Sequence, residues 1–273
     1  MHILKEQACR HMDMPAGTEE NMIERFKIHF APGSDERMVS VYLPRGYHES
    51  DESYPVMYMF DGQNAFEEER AAYRESWNLH EFMDQWEKNL LIVGIESSQE
   101  SDRRLAEYCP YHLSPKVWEG LRGRGRATAE WLIGTLKPEI DRRYRTMGDR
   151  LCTGVMGASL GGLMSFYMVT AFNDVFSKAA CLSVPSGLCF PQLRAQARES
   201  AMDSDTRIYL SVGEKEARDQ RMLAGMVGRS LQLSNVLMGR GMRVYPYLQE
   251  GGRHCEEDWR TQTSEFMRFL WLE

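Results

Sequence analysis

The chain has 273 residues, of which 42% are hydrophobic and 27% charged, and its formal net charge at pH 7 is −7. This length and composition are typical of one large α/β domain with a substantial core. The acidic balance argues against nucleic acid and anionic membranes as partners, and no apolar run approaches the length of a membrane span. Because the N-terminus lacks the apolar region of a signal peptide, we expect a cytoplasmic protein.

Six cysteines are spread along the chain without a C-x-x-C pair. Several lie in apolar runs, as buried free thiols do, so we expect no disulfide framework. Cys9 and His11 are close in sequence, but no nearby residue completes a set of metal ligands. We therefore expect no metal site.

The first 20 residues are polar and irregular and are expected to form an N-terminal arm, followed by a single domain over 21–273. Two alternating segments, 22–30 and 37–43, flank Pro32-Gly33-Ser34-Asp35, which is the pattern of a β-hairpin. Beyond the hairpin, apolar runs typical of buried strands alternate with segments of helical spacing. The predicted strands are 56–60, 89–95, 151–155, 179–184, 207–212 and 244–248, and the predicted helices are 77–86, 128–144, 162 onwards, part of 186–200, 220–240 and 259–272.

This alternation predicts a mostly parallel central sheet with helices on both faces and antiparallel N-terminal strands at one edge. Pro138 is expected to weaken or bend the helix over 128–144. The stretch 96–126 is the least regular and is expected to lie at the rim of a site. Only about 22 residues separate the strand 179–184 from the strand that begins at Arg207, which is too few for a large helical lid.

One short motif, Gly157-Ala158-Ser159-Leu160-Gly161, lies between a predicted strand and a predicted helix. This is the G-x-S-x-G pattern in the strand–turn–helix setting of a nucleophile elbow. Glycines suit the motif because the serine backbone is strained and the neighbouring segments crowd it. We therefore predict that Ser159 is a nucleophile next to a helix N-terminus, with an ordinary glycine-rich turn as the alternative.

A nucleophilic serine needs a histidine base that is held by a carboxylate, and in this arrangement the chain order is serine, acid, histidine. After the motif, the histidine in a glycine-rich loop is His254, which follows the last predicted strand. The acid has three candidates after the strand 207–212, namely Glu214, Glu216 and Asp219. The residues alone leave that choice open.

An acyl-transfer site also needs two backbone N–H groups that face the carbonyl oxygen. One should come from Leu160, directly after the serine. The other should come from the loop Asp61-Gly62-Gln63-Asn64, where Gly62 lets the backbone approach closely and Gln63 carries the candidate N–H. A tight Asp-Gly turn without this role would have the same spacing.

At these residues the sequence resembles the putative-esterase branch of the α/β hydrolases, which includes enterochelin esterases, feruloyl esterases, S-formylglutathione hydrolases and mycolyltransferases. The resemblance runs from about 37 to 272 and is carried by M-Y-M-F-D-G-Q-N, G-V-M-G-A-S-L-G-G-L, Y-L-S-V-G-E-K-E and G-G-R-H-C-E-E-D-W. It implies the α/β-hydrolase fold, and it selects Glu216 because the acid in such relatives lies three residues beyond the strand-ending glycine. In such relatives the second oxyanion donor follows the Asp-Gly pair, which agrees with the choice of Gln63. Relatives often have G-G-H, whereas here Arg253 precedes His254.

The resemblance implies a serine esterase in which Ser159, Glu216 and His254 form the catalytic triad. We expect it to cleave carboxylic esters of a small soluble substrate through an acyl-enzyme, without a metal ion or organic cofactor. Two alternatives share the same residues or fold. One is acyl transfer to an alcohol, and the other is a binding protein that has lost catalysis.

Overall fold

The structure is a computed structural model that describes residues 22–113 and 122–273. The predicted N-terminal arm, 1–20, and part of the predicted rim stretch lie outside these residues. The strands are β1 Met22–Phe30, β2 Asp35–Leu43, β3 Val56–Phe60, β4 Leu91–Ile95, β5 Thr153–Ala158, β6 Lys178–Leu182, β7 Arg207–Gly213 and β8 Arg243–Gln249. The helices are α1 Leu79–Gln85, α2 Ser101–Tyr108, α3 Gly125–Trp131, α4 Lys137–Arg143, α5 Leu160–Ala171, α6 Phe190–Glu199, α7 Gln220–Met238, α8 Glu256–Arg260 and α9 Thr263–Trp271.

The eight strands form one sheet in the order β1-β2-β4-β3-β5-β6-β7-β8. The hairpin β1–β2 is antiparallel and joins β4 in antiparallel fashion, whereas every pairing from β4 to β8 is parallel. Strands β3, β4 and β5 are buried along their whole length because both faces of the sheet are covered. The predicted α/β architecture, with antiparallel N-terminal strands at one edge, is confirmed.

Two apolar clusters flank the sheet, and alternate residues of each strand belong to opposite clusters. In β3, Tyr58 packs into the cluster that includes residues of α2 to α7, while Met57 and Met59 pack into the cluster that includes residues of α1, α8 and α9. This division follows from the two-residue period of a strand. The sheet is therefore a rigid layer whose carboxyl ends carry the loops of the site.

Several boundaries differ from the sequence-based expectation. Strand β5 begins at Thr153, because Leu151 is 53% exposed and lies in a short 3-10 turn. Helix α5 begins at Leu160, directly after the serine. The helix expected over 128–144 forms as one continuous helical run over 125–143, in which a π-helical segment over Leu132–Leu136 joins α3 to α4. Pro138 lies two residues after this segment, inside the run, where its missing N–H removes an intrahelical hydrogen bond.

The rim stretch contains a helix, α2, that the sequence did not predict. The last predicted helix is two helices, α8 and α9, separated by Thr261 and Gln262. Between β6 and β7 the chain forms a 3-10 turn and the single helix α6, so the expected absence of a large lid there is confirmed. None of the helices in the described ranges combines the length and the apolarity that a membrane span requires.

Candidate active site

Ser159 lies between the end of β5 and the start of α5, with φ 55° and ψ −121°. A positive φ is unfavourable for any residue with a side chain, and such conformations cluster at functional sites. The backbone N–H of Ser159 donates to the carbonyl oxygen of Leu182 at 2.9 Å, which ties the turn to β6. A Cβ at Gly157 would lie 2.7–2.9 Å from backbone atoms of Gly161, so the turn needs glycine for close approach. The hydroxyl is thereby held at the N-terminus of α5.

His254 and Glu216 are in direct contact across two neighbouring loops. Nδ1 of His254 lies 3.0 Å from Oε2 of Glu216. The Glu216 side chain is 2% exposed and that of His254 is 44% exposed. The other carboxylate oxygen of Glu216 accepts the backbone N–H of Gly213 at 2.7 Å. With its Nδ1–H donated to a carboxylate, the imidazole presents Nε2 as the acceptor for a serine proton.

Ser159 and His254 line the same cavity. Among the hydrogen bonds of the described residues, none joins the Ser159 hydroxyl to the imidazole. Catalytic hydrogen bonds are often long without substrate and tighten when it binds. The structure thus brings the three predicted residues to one edge of the sheet, and their catalytic roles stay predictions.

The contacts distinguish among the three candidate acids. Glu214 accepts the backbone N–H of Gly251 at 2.8 Å in an exposed loop. Asp219 caps α7 by accepting the backbone N–H of Met222 at 2.7 Å. Of the three, Glu216 is the one that touches His254. The geometry therefore favours the residue that the family resemblance selected.

The two predicted oxyanion donors line the same cavity as Ser159. Gln63 lies in a 3-10 turn over Gly62–Asn64, and its side chain exchanges two hydrogen bonds with Ser97, at 3.3 Å and 3.1 Å. Its backbone N–H has no backbone acceptor among the described residues. The N–H of Leu160 is in the first turn of α5, where no intrahelical acceptor exists. Both N–H groups are therefore available to a ligand oxygen.

A partly buried ion pair fixes the start of the loop that carries Gln63. Asp61 has φ 59°, and its carboxylate binds Arg104 of α2 through two hydrogen bonds of 2.7 Å each. The backbone N–H of Asp61 donates to the Tyr108 hydroxyl at 3.0 Å. Burial lowers the pKa of Arg104, but the Asp61 carboxylate outweighs it and holds that pKa above its usual value. Helix α2, unpredicted from the sequence, therefore anchors this loop.

A second contact joins the loop of Gln63 to the loop of His254. Asn64 donates from Nδ2 to Oε1 of Glu256 at 2.9 Å, and both residues are buried. Asn64 also accepts the backbone N–H of Ala72 at 2.9 Å. Burial raises the pKa of Glu256 above its usual value. Glu256 comes two residues after His254, so this bond holds two predicted functional loops together.

Arg253, the residue that departs from the common G-G-H string, turns towards solvent. It pairs with Glu257 at 2.7 Å and with Asp258 at 2.8 Å. These two carboxylates and Cys255 are close enough to one another to hold a metal ion, but Arg253 already engages both. The insertion leaves the contact between His254 and Glu216 intact.

The cavity beside Ser159 has a volume of about 660 Å³. Its wall combines the predicted catalytic groups with both apolar and polar side chains. The apolar part includes Ala72, Tyr73, Trp77, Leu105, Leu160, Pro185 and Leu188, and the polar part includes Asp61, Gln63, Asn64, Glu75, Ser97, Ser98, Gln99, Ser101, Arg104 and Glu256. Tyr73 is 77% exposed and stands at the rim. A space of this size accommodates a small organic molecule.

The family model described as "Putative esterase" matches residues 33–270. The chain belongs to this family. It is therefore a carboxylic ester hydrolase with the α/β-hydrolase fold. The Bacillus subtilis (strain 168) protein described as "Uncharacterized protein YbbA" is 24% identical over 210 residues, covering 75% of this chain and 79% of that protein.

Solved structures of similar fold include the BES protein from Bacillus cereus, with a TM-score of 0.73 and 19% identity, covering 96% of this chain and 99% of that one. Another is an IroE-like serine hydrolase from Shewanella oneidensis, with a TM-score of 0.73 and 18% identity, covering 90% of this chain and 79% of that one. At these identities the likeness shows the fold alone.

Two contacts of the site were not foreseen from the sequence. Ser183 bonds to Glu216, and Trp259 bonds to Ser183. The sequence placed Ser183 inside the predicted strand 179–184, whereas β6 ends at Leu182. It placed Trp259 at the start of the predicted helix 259–272, whereas Trp259 lies within α8. No local pattern marks them, because their partners lie 33 and 76 positions away in the chain.

Proposed function

We propose that the chain hydrolyses carboxylic esters of a small soluble substrate through an acyl-enzyme on Ser159. The single observation that carries this proposal is the contact between His254 Nδ1 and Glu216 Oε2, at 3.0 Å, beside a cavity that also contains the strained Ser159. A serine hydroxyl is a weak nucleophile at neutral pH, and an imidazole held by a carboxylate is the group that activates it. Family membership supports ester cleavage as the reaction.

In the first step, Ser159 Oγ attacks the ester carbonyl while His254 Nε2 takes its proton. Negative charge develops on the carbonyl oxygen, and the N–H groups of Leu160 and Gln63 bind it in this proposal, which their position in the cavity wall supports. Glu216 holds the ring in the tautomer that leaves Nε2 free and stabilises the imidazolium. The C–O bond of the ester breaks, and the alcohol leaves with the proton from His254.

In the second step, water attacks the acyl group on Ser159, and His254 again takes and returns the proton. The acid product leaves, and the serine is regenerated. These steps use groups of the chain alone, so we propose that no metal ion or organic cofactor takes part. We also propose a cytoplasmic setting, in which the ester is a small metabolite rather than a lipid aggregate.

The mechanism is tested with p-nitrophenyl acetate and butyrate, together with labelling by a fluorophosphonate probe. The native protein should turn over both esters and incorporate one probe per chain. Ser159→Ala should lose both properties, whereas Ser101→Ala, which removes another cavity-lining hydroxyl, should keep them. Turnover that persists in Ser159→Ala would rule out the acyl-enzyme.

The same experiment separates the alternatives. A native protein that is folded but inert to the probe and to all esters would be a binding protein. If added alcohols divert the acyl group into new esters faster than water clears it, acyl transfer is the main reaction. Free acid as the dominant product supports hydrolysis.

A further inference from the structure

Ser183 directly follows β6 and has φ 50°, the third position in the site with a positive φ and a side chain. Its backbone N–H donates to the carbonyl oxygen of Ser211 in β7 at 3.0 Å. The residue is 2% exposed. The Ser183 hydroxyl forms a hydrogen bond with the carboxylate of Glu216. Strain of this kind persists only where the surrounding structure holds it, and it is common at functional sites.

The proton of the Ser183 hydroxyl has a defined direction. Trp259 Nε1 can only donate, and it lies 2.8 Å from Ser183 Oγ, which therefore accepts. The single hydroxyl proton of Ser183 is then free to point to Oε1 of Glu216. That oxygen also accepts the backbone N–H of Gly213. Two donors occupy Oε1, and Oε2 faces His254.

Trp259 also touches the histidine itself. Its ring packs edge to face against the imidazole of His254, with centroids 4.9 Å apart and planes at 81°. Trp259 is 5% exposed and packs beside Trp77, so it has little freedom to move. Four contacts form a closed circuit that includes the imidazole. They are His254–Glu216, Glu216–Ser183, Ser183–Trp259 and Trp259–His254.

We propose that Ser183 and Trp259 are positioning residues that lock the orientation of the Glu216 carboxylate and, through it, the ring of His254. The inference rests on the proposed function, in which His254 is the base. The terminal torsion of a glutamate is soft, so a carboxylate held at Oε1 by the Gly213 N–H alone can rotate further from Nδ1 than one held by two donors. The circuit removes that freedom. Neither residue touches the substrate carbonyl in the proposed steps.

Ser183→Ala removes one of the two donors to Oε1 of Glu216, leaving the Gly213 N–H, and it leaves Trp259 without its acceptor. A hydrogen bond to a charged group corresponds to about 10- to 100-fold in rate, so kcat should fall by that factor. KM should stay unchanged, because no substrate contact is lost. Trp259→Phe keeps the ring against His254 but removes the N–H, and it should lower kcat by a smaller factor. The double variant should be no slower than Ser183→Ala, because both changes act through the same hydroxyl.

Trp271→Phe is the matched control. Trp271 is 6% exposed, and its indole nitrogen is buried without a hydrogen-bond partner in the described structure. It packs beside Gly154 at the start of β5, at the opposite end of the sheet from Ser159. Its replacement should change thermal stability without changing kcat. A role of Trp259 in stability alone would make the two tryptophan variants behave alike.

The outcomes separate this inference from the proposed function. Loss of kcat at constant KM in Ser183→Ala, with Ser159→Ala inactive, supports both. A Ser183→Ala variant with native kcat, while Ser159→Ala is inactive, overturns the positioning role and leaves the mechanism standing. Activity in Ser159→Ala overturns the mechanism. If Ser183→Ala does not fold, Trp259→Phe decides: native kcat overturns the positioning role, and reduced kcat with native KM supports it.

Discussion

Gly62 gives a sharp test of the predicted oxyanion loop. A Cβ at this position would lie 2.2 Å from the backbone carbon of Gly94 and 2.2 Å from the nitrogen of Ile95. Both atoms belong to β4, which is hydrogen-bonded on one side to β2 and on the other to β3, so β4 cannot retreat. Ordinary van der Waals contact begins at 3.4 Å, which leaves the methyl group more than 1 Å too close. In Gly62→Ala the loop itself has to move by about this distance.

The displacement carries the N–H of Gln63 with it. A shift of about 1 Å in a group that acts on the transition state can cost about 100-fold in rate. An extra methyl group in a close-packed site costs about 1–3 kcal/mol in the free energy of unfolding. Gly62→Ala should therefore lose about 100-fold in kcat for p-nitrophenyl acetate and unfold at lower urea concentration.

Gly228→Ala provides the matched control. Gly228 lies within α7, and a Cβ there would meet no atom within 4 Å. Alanine in place of glycine inside a helix stabilises it by about 0.5–1 kcal/mol. This variant should keep native kcat and unfold at slightly higher urea concentration. A Gly62→Ala variant that keeps kcat within about twofold of native, despite lower stability, would refute Gln63 as an oxyanion donor.

Three further predictions concern other parts of the molecule. Glu256→Ala should lower kcat about 10-fold, because Asn64 loses its acceptor and two loops lose their link, whereas Glu256→Gln keeps an acceptor and most of the rate in steady-state assays. Burial lowers the pKa of Lys178 to about 8, so between about pH 8 and 10 the unfolded chain holds this proton more often than the folded chain does. As the pH rises through this range, the free energy of unfolding of the native protein should therefore increase relative to that of Lys178→Met, measured in paired urea titrations. Ser159→Gly and Ser159→Ala should both be inactive, but the glycine variant should be about 1 kcal/mol more stable in thermal unfolding, because glycine tolerates the positive φ.

Much of the fold follows from local patterns. The hairpin was predicted from alternation and a turn, and the structure places β1 and β2 at nearly the predicted residues. The strands β3 and β4 are apolar on both faces, which identified them as central. Helix α2 escaped prediction because its buried face is partly ionic. Glu107 pairs with Arg37, 70 positions away, and Arg104 pairs with Asp61, 43 positions away.

In the candidate site, too, some residues could be predicted from local patterns and others depend on distant contacts. Ser159 and His254 could be predicted because glycine-rich turns mark them in the sequence. The acid could not be chosen from the residues alone, since Glu214, Glu216 and Asp219 all follow β7. Glu214 and Glu216 bond to Gly251 and His254, so their roles depend on where the loop after β8 lies, whereas Asp219 caps α7. The contacts of Ser183 and Trp259 depend wholly on the packing of distant segments.

The backbone strain of the site follows the order of the strands. Asp61, Ser159 and Ser183 come directly after β3, β5 and β6, which are adjacent in the sheet, and each has a side chain at positive φ. The hydrogen bonds of three parallel strands and a covered face on each side hold these turns in place. Asp61 begins the predicted oxyanion loop, Ser159 is the proposed nucleophile, and Ser183 binds Glu216, the proposed acid. The rigid sheet therefore sets the relative positions of all three groups, and the loops that line the cavity are left to determine which substrate fits.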